Sequence, residues 1–179
     1  DLIPYGFEGS ASIMFLILIV GGAIEVYNKT GAIPAAVSKL VNFAGDKGGG
    51  IVIAIIYSIF AVLGGFLGWL ETVIPFVPLV IPVILALGYD AMTATAVVIL
   101  GTMVGFAAGP TNMYTVGISH QIAELPIFSG FGLRFAAYLV FCIVALVYVL
   151  IYAEKVRKDP SKSIVKDINV DGSFLTFSA

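Results

Sequence analysis

IVIAIIYSIFAVLGGFLGW (Ile51–Trp69) and VIPFVPLVIPVILAL (Val73–Leu87) are two uncharged apolar arms joined only by Leu70-Glu71-Thr72. An arm lying in lipid must pair its backbone groups internally, so each reads as a helix. The second arm would be about 22 Å long at a rise of ~1.5 Å per residue, too short to cross a hydrocarbon core of about 30 Å upright. It also carries Pro75, Pro78 and Pro82. Pro75 fits a first helical turn with Thr72 as N-cap, whereas Pro78 and Pro82 each remove a helix hydrogen bond. Glu71 stands at the turn without a basic neighbour. These features predict a re-entrant hairpin over ~51–88, entered from the cytoplasm and with its tip near the bilayer midplane. Two tilted spans are the alternative, and they leave the flanks on the same side.

The rest of the chain has the same character. Hydrophobic residues make up 60% of it and charged residues 11%. Soluble domains carry about 25% charged residues, so the fold class is an all-α integral membrane protein, a bundle of transmembrane helices. A first span over ~11–28 closes at Asn28-Lys29-Thr30-Gly31, where Gly31 suits a helix C-cap. Ile33, Val37, Leu40, Val41 and Ala44 then share a helical face opposite Ser38, Lys39 and Asn42. That pattern predicts an interfacial helix over ~33–45 that does not span.

Asp46-Lys47-Gly48-Gly49-Gly50 follows as a joint before the hairpin. Beyond the hairpin, the uncharged stretch Ala91–Ser119 exceeds one span and is interrupted at Gly109-Pro110. It predicts a discontinuous helix over ~91–120, with an inner half ending near Ala108 and an outer half starting near Asn112. A loop with His120, Glu124 and Pro126 leads to a last span over ~133–153, and Asp159-Pro160 ends the polar tail of that helix. The expected organisation is a membrane domain, residues 1–166, and a linker or tail, 167–179. The chain shows no signal peptide, begins with Asp1 and opens on a membrane segment, so a fragment lacking earlier helices is expected. Cys142 is the single cysteine, which leaves no disulfide framework and no metal cluster.

Lysine and arginine set the orientation. Lys155, Arg157, Lys158, Lys162 and Lys166 place the C-terminal tail in the cytoplasm. Counting back, the loop near His120 is outside, while Asp90 and the joint with Lys39 and Lys47 are inside. Of nine basic residues only Arg134 then falls outside. The expected location is a bacterial cytoplasmic membrane, crossed several times.

Interrupted helices build substrate and ion sites in transporters, and two interruptions at one depth would build one site. The first hairpin arm and the inner half of the broken helix would present free carbonyls near Gly68, Trp69, Ala108 and Gly109 to a cation such as sodium. The second arm and the outer half would offer N–H groups near Val73 and Asn112 to a carboxylate. Glu71 adds a full charge where charge is costly, and Thr72, Thr111 and Asn112 add neutral oxygens. Thr72, Thr111 and Asn112 serve equally well as caps. Glu25 and Lys29 read as a snorkelling pair, Asp90 as a helix cap and His120 as an interfacial residue, with a proton role as its alternative. Trp69 and Tyr114 either stack on a substrate or fill space. The glycine series Gly101, Gly105, Gly109 and the pair Gly64, Gly68 read as close helix–helix contacts.

Gly68-Trp69-Leu70-Glu71-Thr72-Val73-Ile74-Pro75-Phe76, continuing through Leu79-Val80-Ile81-Pro82-Val83 and Ala86-Leu87-Gly88-Tyr89-Asp90, resembles the anaerobic C4-dicarboxylate carrier family. Gly21-Gly22-Ala23, Lys29-Thr30-Gly31-Ala32, Gly105-Phe106-Ala107-Ala108 and Lys158-Asp159-Pro160-Ser161-Lys162-Ser163 agree with it, over roughly residues 12–166. The nearest branch is the one described as basic amino acid antiporters. The resemblance implies an ion-transporter-type fold of two inverted repeats, each with a re-entrant hairpin and a broken helix, of which this chain is the N-terminal half. Carriers of that broad fold place Ser-Asn-Thr at the tips and breaks. Here Leu70-Glu71-Thr72 and Pro110-Thr111-Asn112 stand instead, which favours a cationic group near Glu71 over a dicarboxylate.

The expected function is a secondary active transporter: an ion- or proton-coupled carrier or antiporter of amino acids or small carboxylates. It would use Na+ or H+ as coupling ion and no cofactor. A channel and a membrane scaffold are the other classes. With one histidine and one cysteine, no catalytic constellation is recognisable and an enzyme is not expected. The expected partners are a small-molecule substrate, the lipid bilayer, the second repeat of the same polypeptide and a second copy in a homodimer, with no nucleic acid.

Overall fold

The computed structural model describes residues 48–166 continuously, together with Pro4, Ala11, Phe15, Leu18, Ile19, Gly22, Ala23, Val26 and Thr30. The expected span at ~11–28 is helical at each of its described residues. The interfacial helix at ~33–45, the Glu25–Lys29 pair and the 167–179 tail lie outside the described residues.

All regular structure among the described residues is helical. α1, Gly49–Val62, runs on into a π turn, Leu63–Leu67, and stops at Gly68. A 3-10 turn, Glu71–Phe76, feeds α2, Val77–Ala86. α3, Ala91–Ala108, breaks and resumes as a π turn, Met113–Gly117, and the short α4, Ile118–Ile122. α5 is the long helix Phe131–Lys158. By length and composition, Gly49–Leu67, Ala91–Ile122 and Phe131–Lys158 suffice to cross a membrane, and Glu71–Ala86 is a shorter apolar helix.

Two elements differ from expectation. The second hairpin arm begins at Glu71, not Val73, and Thr72 makes no capping bond. Its prolines are absorbed: Pro75 sits in the 3-10 turn and Pro78 in the first turn of α2, where backbone N–H groups have no intrahelical acceptor anyway. Only Pro82 stands inside an α-helix. The last helix extends beyond ~133–153 at both ends, and at its C-terminal end Lys155, Arg157 and Lys158 in the final turn suit the negative end of the helix. It stops where expected, at Asp159-Pro160.

α3 is the centre of the bundle, packed on α1, α2 and α5. Ile53, Tyr57 and Phe60 of α1, Ile84 of α2, Val97 and Val98 of α3, and Val149 of α5 share one apolar core. The α1–α3 contact is backbone against backbone. A side chain at Gly101 would meet the Tyr57 carbonyl, one at Gly105 the Ala61 carbonyl, and one at Gly109 the Gly65 carbonyl. From the other side, Gly64 faces the Thr102 carbonyl. The pairs advance in step, so α1 and α3 run parallel and reach their C-terminal ends together. α5 runs the other way, with Arg134 beside Pro110 and Tyr152 beside Asp90.

Asp90 closes the opposite end. Its Oδ1 accepts the Thr93 N–H at 2.9 Å and the Thr93 hydroxyl at 2.6 Å, which caps α3 as expected. Its Oδ2 accepts from Tyr152 Oη at 2.7 Å and Ser163 Oγ at 2.6 Å, which ties the exit of α5 to the start of α3. Burial works against the charged form, but hydrogen bonds from the side chains of Ser163, Thr93 and Tyr152 and from the Thr93 N–H outweigh it and hold the carboxyl below the usual carboxylate range. A carboxylate depressed in the fold stabilises above its unfolded value of about 4, and that contribution is lost as pH falls through the folded value. Asp90→Ala is therefore expected to destabilise the purified protein at neutral pH by about 1–2 kcal/mol, the size of a lost N-cap, with the charge term discounted for partial exposure. The gap from wild type in thermal melts should narrow as the pH is lowered below the usual carboxylate range. A gap of constant size would show that the carboxylate charge is not what acts.

Candidate functional site

The common level of the α1 and α3 ends is where both chains break. Gly68 adopts φ 71°, a left-handed conformation that glycine takes without strain. Its N–H returns to the Gly64 carbonyl at 3.2 Å, and the Trp69 N–H returns to the Leu63 carbonyl at 3.3 Å. α3 ends at Ala108, and Gly109 turns extended with ψ 129°. Among the described residues, the carbonyls of Ala107, Ala108 and Gly109 receive no hydrogen bond. The negative ends of two parallel helices thus lie side by side, a field that favours a cation.

Asn112 holds the junction. Fully buried, it donates from Nδ2 to the Phe106 carbonyl at 3.1 Å and accepts the Tyr114 N–H on Oδ1 at 2.9 Å. Its own carbonyl takes the N–H groups of Val116 and Gly117 at 2.8 and 3.1 Å. One residue therefore links the last turn of α3 to the first turn of the outer half. The end of the π turn after α1 rests on it: a Cβ at Gly68 would lie 2.8 Å from Asn112 Oδ1 and 2.9 Å from the Tyr114 ring. Gly68 is thus set by its backbone and by Asn112, more than by a helix-packing stripe. Gly65, which falls outside the four-residue glycine spacing, takes the packing role against Gly109 and Tyr138.

Of the expected site residues, Gly68, Gly109 and Asn112 are brought together, with Ala108 adjacent and Thr111 half-buried between. Trp69 packs its ring on Phe76 at 6.5 Å, and Phe76 meets Phe60 edge-on at 6.1 Å, so the indole fills space between α1 and the 3-10 turn. Tyr114 lies stacked on Phe106 and is largely exposed. Glu71 is exposed at the first position of the 3-10 turn, and neither it nor Thr72 has a side-chain hydrogen bond among the described residues. The Tyr114 N–H, spent on Asn112, is not offered to a ligand. Measured along α5, the junction lies level with Tyr138, whose ring meets Phe66 at 5.8 Å. That is about 5 Å from the start of the uncharged run at Phe135, closer to the Arg134 end of α5 than to its middle. Among the described residues no group of three or more His, Cys, Asp or Glu side chains is placed to hold a metal.

One corner of the junction was not foreseen. Arg134 donates from Nε to the Pro110 carbonyl at 3.4 Å, from Nη1 to His120 Nε2 at 2.9 Å and from Nη2 to the Ser129 carbonyl. With His120, Ser119, Thr115, Gly109 and Ala108 it lines a cavity of about 390 Å³ behind the break. The available signal was charge: Arg134 is the lone basic residue that the positive-inside count leaves outside.

The family described as C4-dicarboxylate anaerobic carrier matches residues 4–171. The chain belongs to this carrier family. A curated relative from Escherichia coli (strain K12), named "Putative basic amino acid antiporter YfcC", is 29% identical over 176 residues, 93% of this chain and 34% of the relative. An uncharacterized protein from Haemophilus influenzae is 32% identical over 159 residues, 88% of this chain and 31% of its own length. The chain thus spans about a third of the length of the curated relatives it matches. No solved structure matches it. Family membership and three membrane-length apolar helices make the chain an integral membrane protein of a transporter family.

Proposed function

We propose that this chain is one repeat of a secondary active transporter, with its substrate and coupling ion meeting where the hairpin tip touches the break of the discontinuous helix. The observation that carries this reading is the contact of Gly68 with Asn112, which sets two chain breaks and two helix C-termini in one place. In this reading 49–86 is a re-entrant hairpin. The carbonyls of Ala107, Ala108 and Gly109, unpaired among the described residues, take the coupling cation, Na+ or a proton carried as hydronium. Glu71, with Thr72, takes the positive group of an amino acid. Thr111 and Asn112 frame the same space, and Trp69 sets the shape of the tip. The name of the Escherichia coli relative supports an amino acid substrate and an exchange mechanism, and the family description supports a small carboxylate. The remaining two thirds of the relatives' length supplies the second repeat that closes the cavity, because unpaired backbone groups facing lipid cost several kcal/mol each.

The test is counterflow in proteoliposomes holding the full-length protein, across a panel of basic amino acids, neutral amino acids and dicarboxylates under imposed Na+ and H+ gradients. The expected result is saturable uptake of one class, accelerated by preloading and driven by one gradient. Current without saturation would mark a channel, and inactivity across the panel in a folded, monodisperse preparation would mark a scaffold.

A further inference from the structure

Arg134 and His120 form a corner whose protonation state the geometry dictates. His120 Nδ1 lies 3.1 Å from the Pro126 carbonyl, which only accepts, so this nitrogen carries a hydrogen. His120 Nε2 lies 2.9 Å from Arg134 Nη1, which only donates, so Nε2 presents its lone pair. The imidazole is therefore neutral, with its tautomer fixed from both sides. It is also well buried, 8% exposed. A proton on Nε2 would set N–H against N–H and cation against cation at that distance, and the two groups must part.

The guanidinium is a rigid planar fork, so displacing Nη1 from His120 displaces Nε from the Pro110 carbonyl. Pro110 is followed two residues later by Asn112, to which the amides of Tyr114, Val116 and Gly117 are all hydrogen-bonded. Among the described residues no other titratable group lines this cavity. The α3 end contributes Ala107, Ala108 and Gly109 to the cavity, α5 contributes Ala137 and Phe141 beside Arg134, and the outer half contributes Thr115, Val116 and Ser119. Glu124, in the loop after α4, is exposed and makes no ion pair among the described residues.

We propose that His120 is a proton-binding site whose occupation expels Arg134 from the Pro110 carbonyl and loosens the break of the discontinuous helix. The inference stands on the Arg134 corner alone and does not depend on the carrier reading. It gives the junction a proton-responsive latch on the side away from Asp90, distinct from the tip and its Glu71.

The experiment is hydrogen–deuterium exchange of full-length protein in nanodiscs, tracking peptides that cover 109–120 and correcting rates for intrinsic pH dependence. The wild type is expected to exchange at least about fivefold faster at Tyr114, Val116 and Gly117 at about pH 5 than at about pH 8. His120→Gln keeps an acceptor for Arg134 and a donor for Pro126 but binds no proton, and its exchange should stay flat. His120→Asn is a second non-titrating amide should the glutamine variant fold poorly. Arg134→Gln should exchange fast throughout, with no step. A wild type without the step overturns the proposal, as does a step retained in the His120 variants. A step that survives in Arg134→Gln shows the imidazole acting without the guanidinium and overturns the latch.

Discussion

Gly105→Ala is expected to cost this protein most of its folded yield, although it adds a single methyl group. The added carbon would meet backbone alone: the Ala61 carbonyl oxygen, with its carbonyl carbon at 2.9 Å and Cα at 3.0 Å. No rotamer change relieves such a contact, so α1 and α3 must move apart along their shared face. Overpacking a close-fitted interface costs about 1–3 kcal/mol, and a backbone neighbour places this site at or above the upper end. The separation reaches the site, because Gly65 and Gly109 continue the same ladder to the level of Gly68 and Asn112. Gly132→Ala is the matched control, since a Cβ there meets nothing within 4 Å and alanine is the better helix former. Thermal stability and monodisperse yield of the two variants in one detergent decide the matter. Equal melts would refute the backbone contact between α1 and α3.

Glu71→Gln is expected to weaken substrate or ion affinity by at least about tenfold, roughly 1.4 kcal/mol, while leaving folding near normal. The two halves of that expectation have separate causes. Glu71 is exposed and lacks a side-chain hydrogen bond among the described residues, so little of the fold rests on it. In the carrier reading its charge is met by the coupling ion or the substrate's cationic group, so binding energy passes through the carboxylate. Glu71→Asp should fall between, because the shorter side chain misplaces the charge. A carboxylate serving as a structural brace gives the reverse order: a lower melting temperature with affinity preserved in molecules that fold. Binding and melting measured on the same full-length variants separate the two. Parent-like transport and binding by Glu71→Gln would remove this residue from the site.

The broken helix was readable to within a residue or two because its cause is local. Pro110 has no N–H and Gly109 no side chain, so a helix from Ala91 must end about where it does, and Asn112 is a strong N-cap for the outer half. Asp90 was readable as a cap for the same reason. The second arm was misread at its start, where Thr72 was expected to cap it, and at Pro78, which was expected to remove a helix hydrogen bond. The arm begins instead with a 3-10 turn from Glu71, and Pro78 falls in the first turn of α2, where no such bond is made. Trp69 and Thr72 illustrate a different shortfall. Their residue types admit both a binding and a packing role, and only their neighbours decide.

The sequence by itself determined the membrane class, the helical breaks, the cap at Asp90 and the family, because each arises from hydropathy, missing backbone donors or motif identity within a short window. Tertiary structure decided what those breaks are for. Whether Gly68 and Asn112 meet depends on α1 and α3 running parallel in one register, and that register is set by backbone contacts at Gly64, Gly65, Gly101, Gly105 and Gly109. Glycine spacing announces close approach but not the partner or the phase. The Arg134–His120 corner lay further still from local reading. Its members are fourteen residues apart in sequence, and they meet because antiparallel α5 returns Arg134 to the level at which α3 ends.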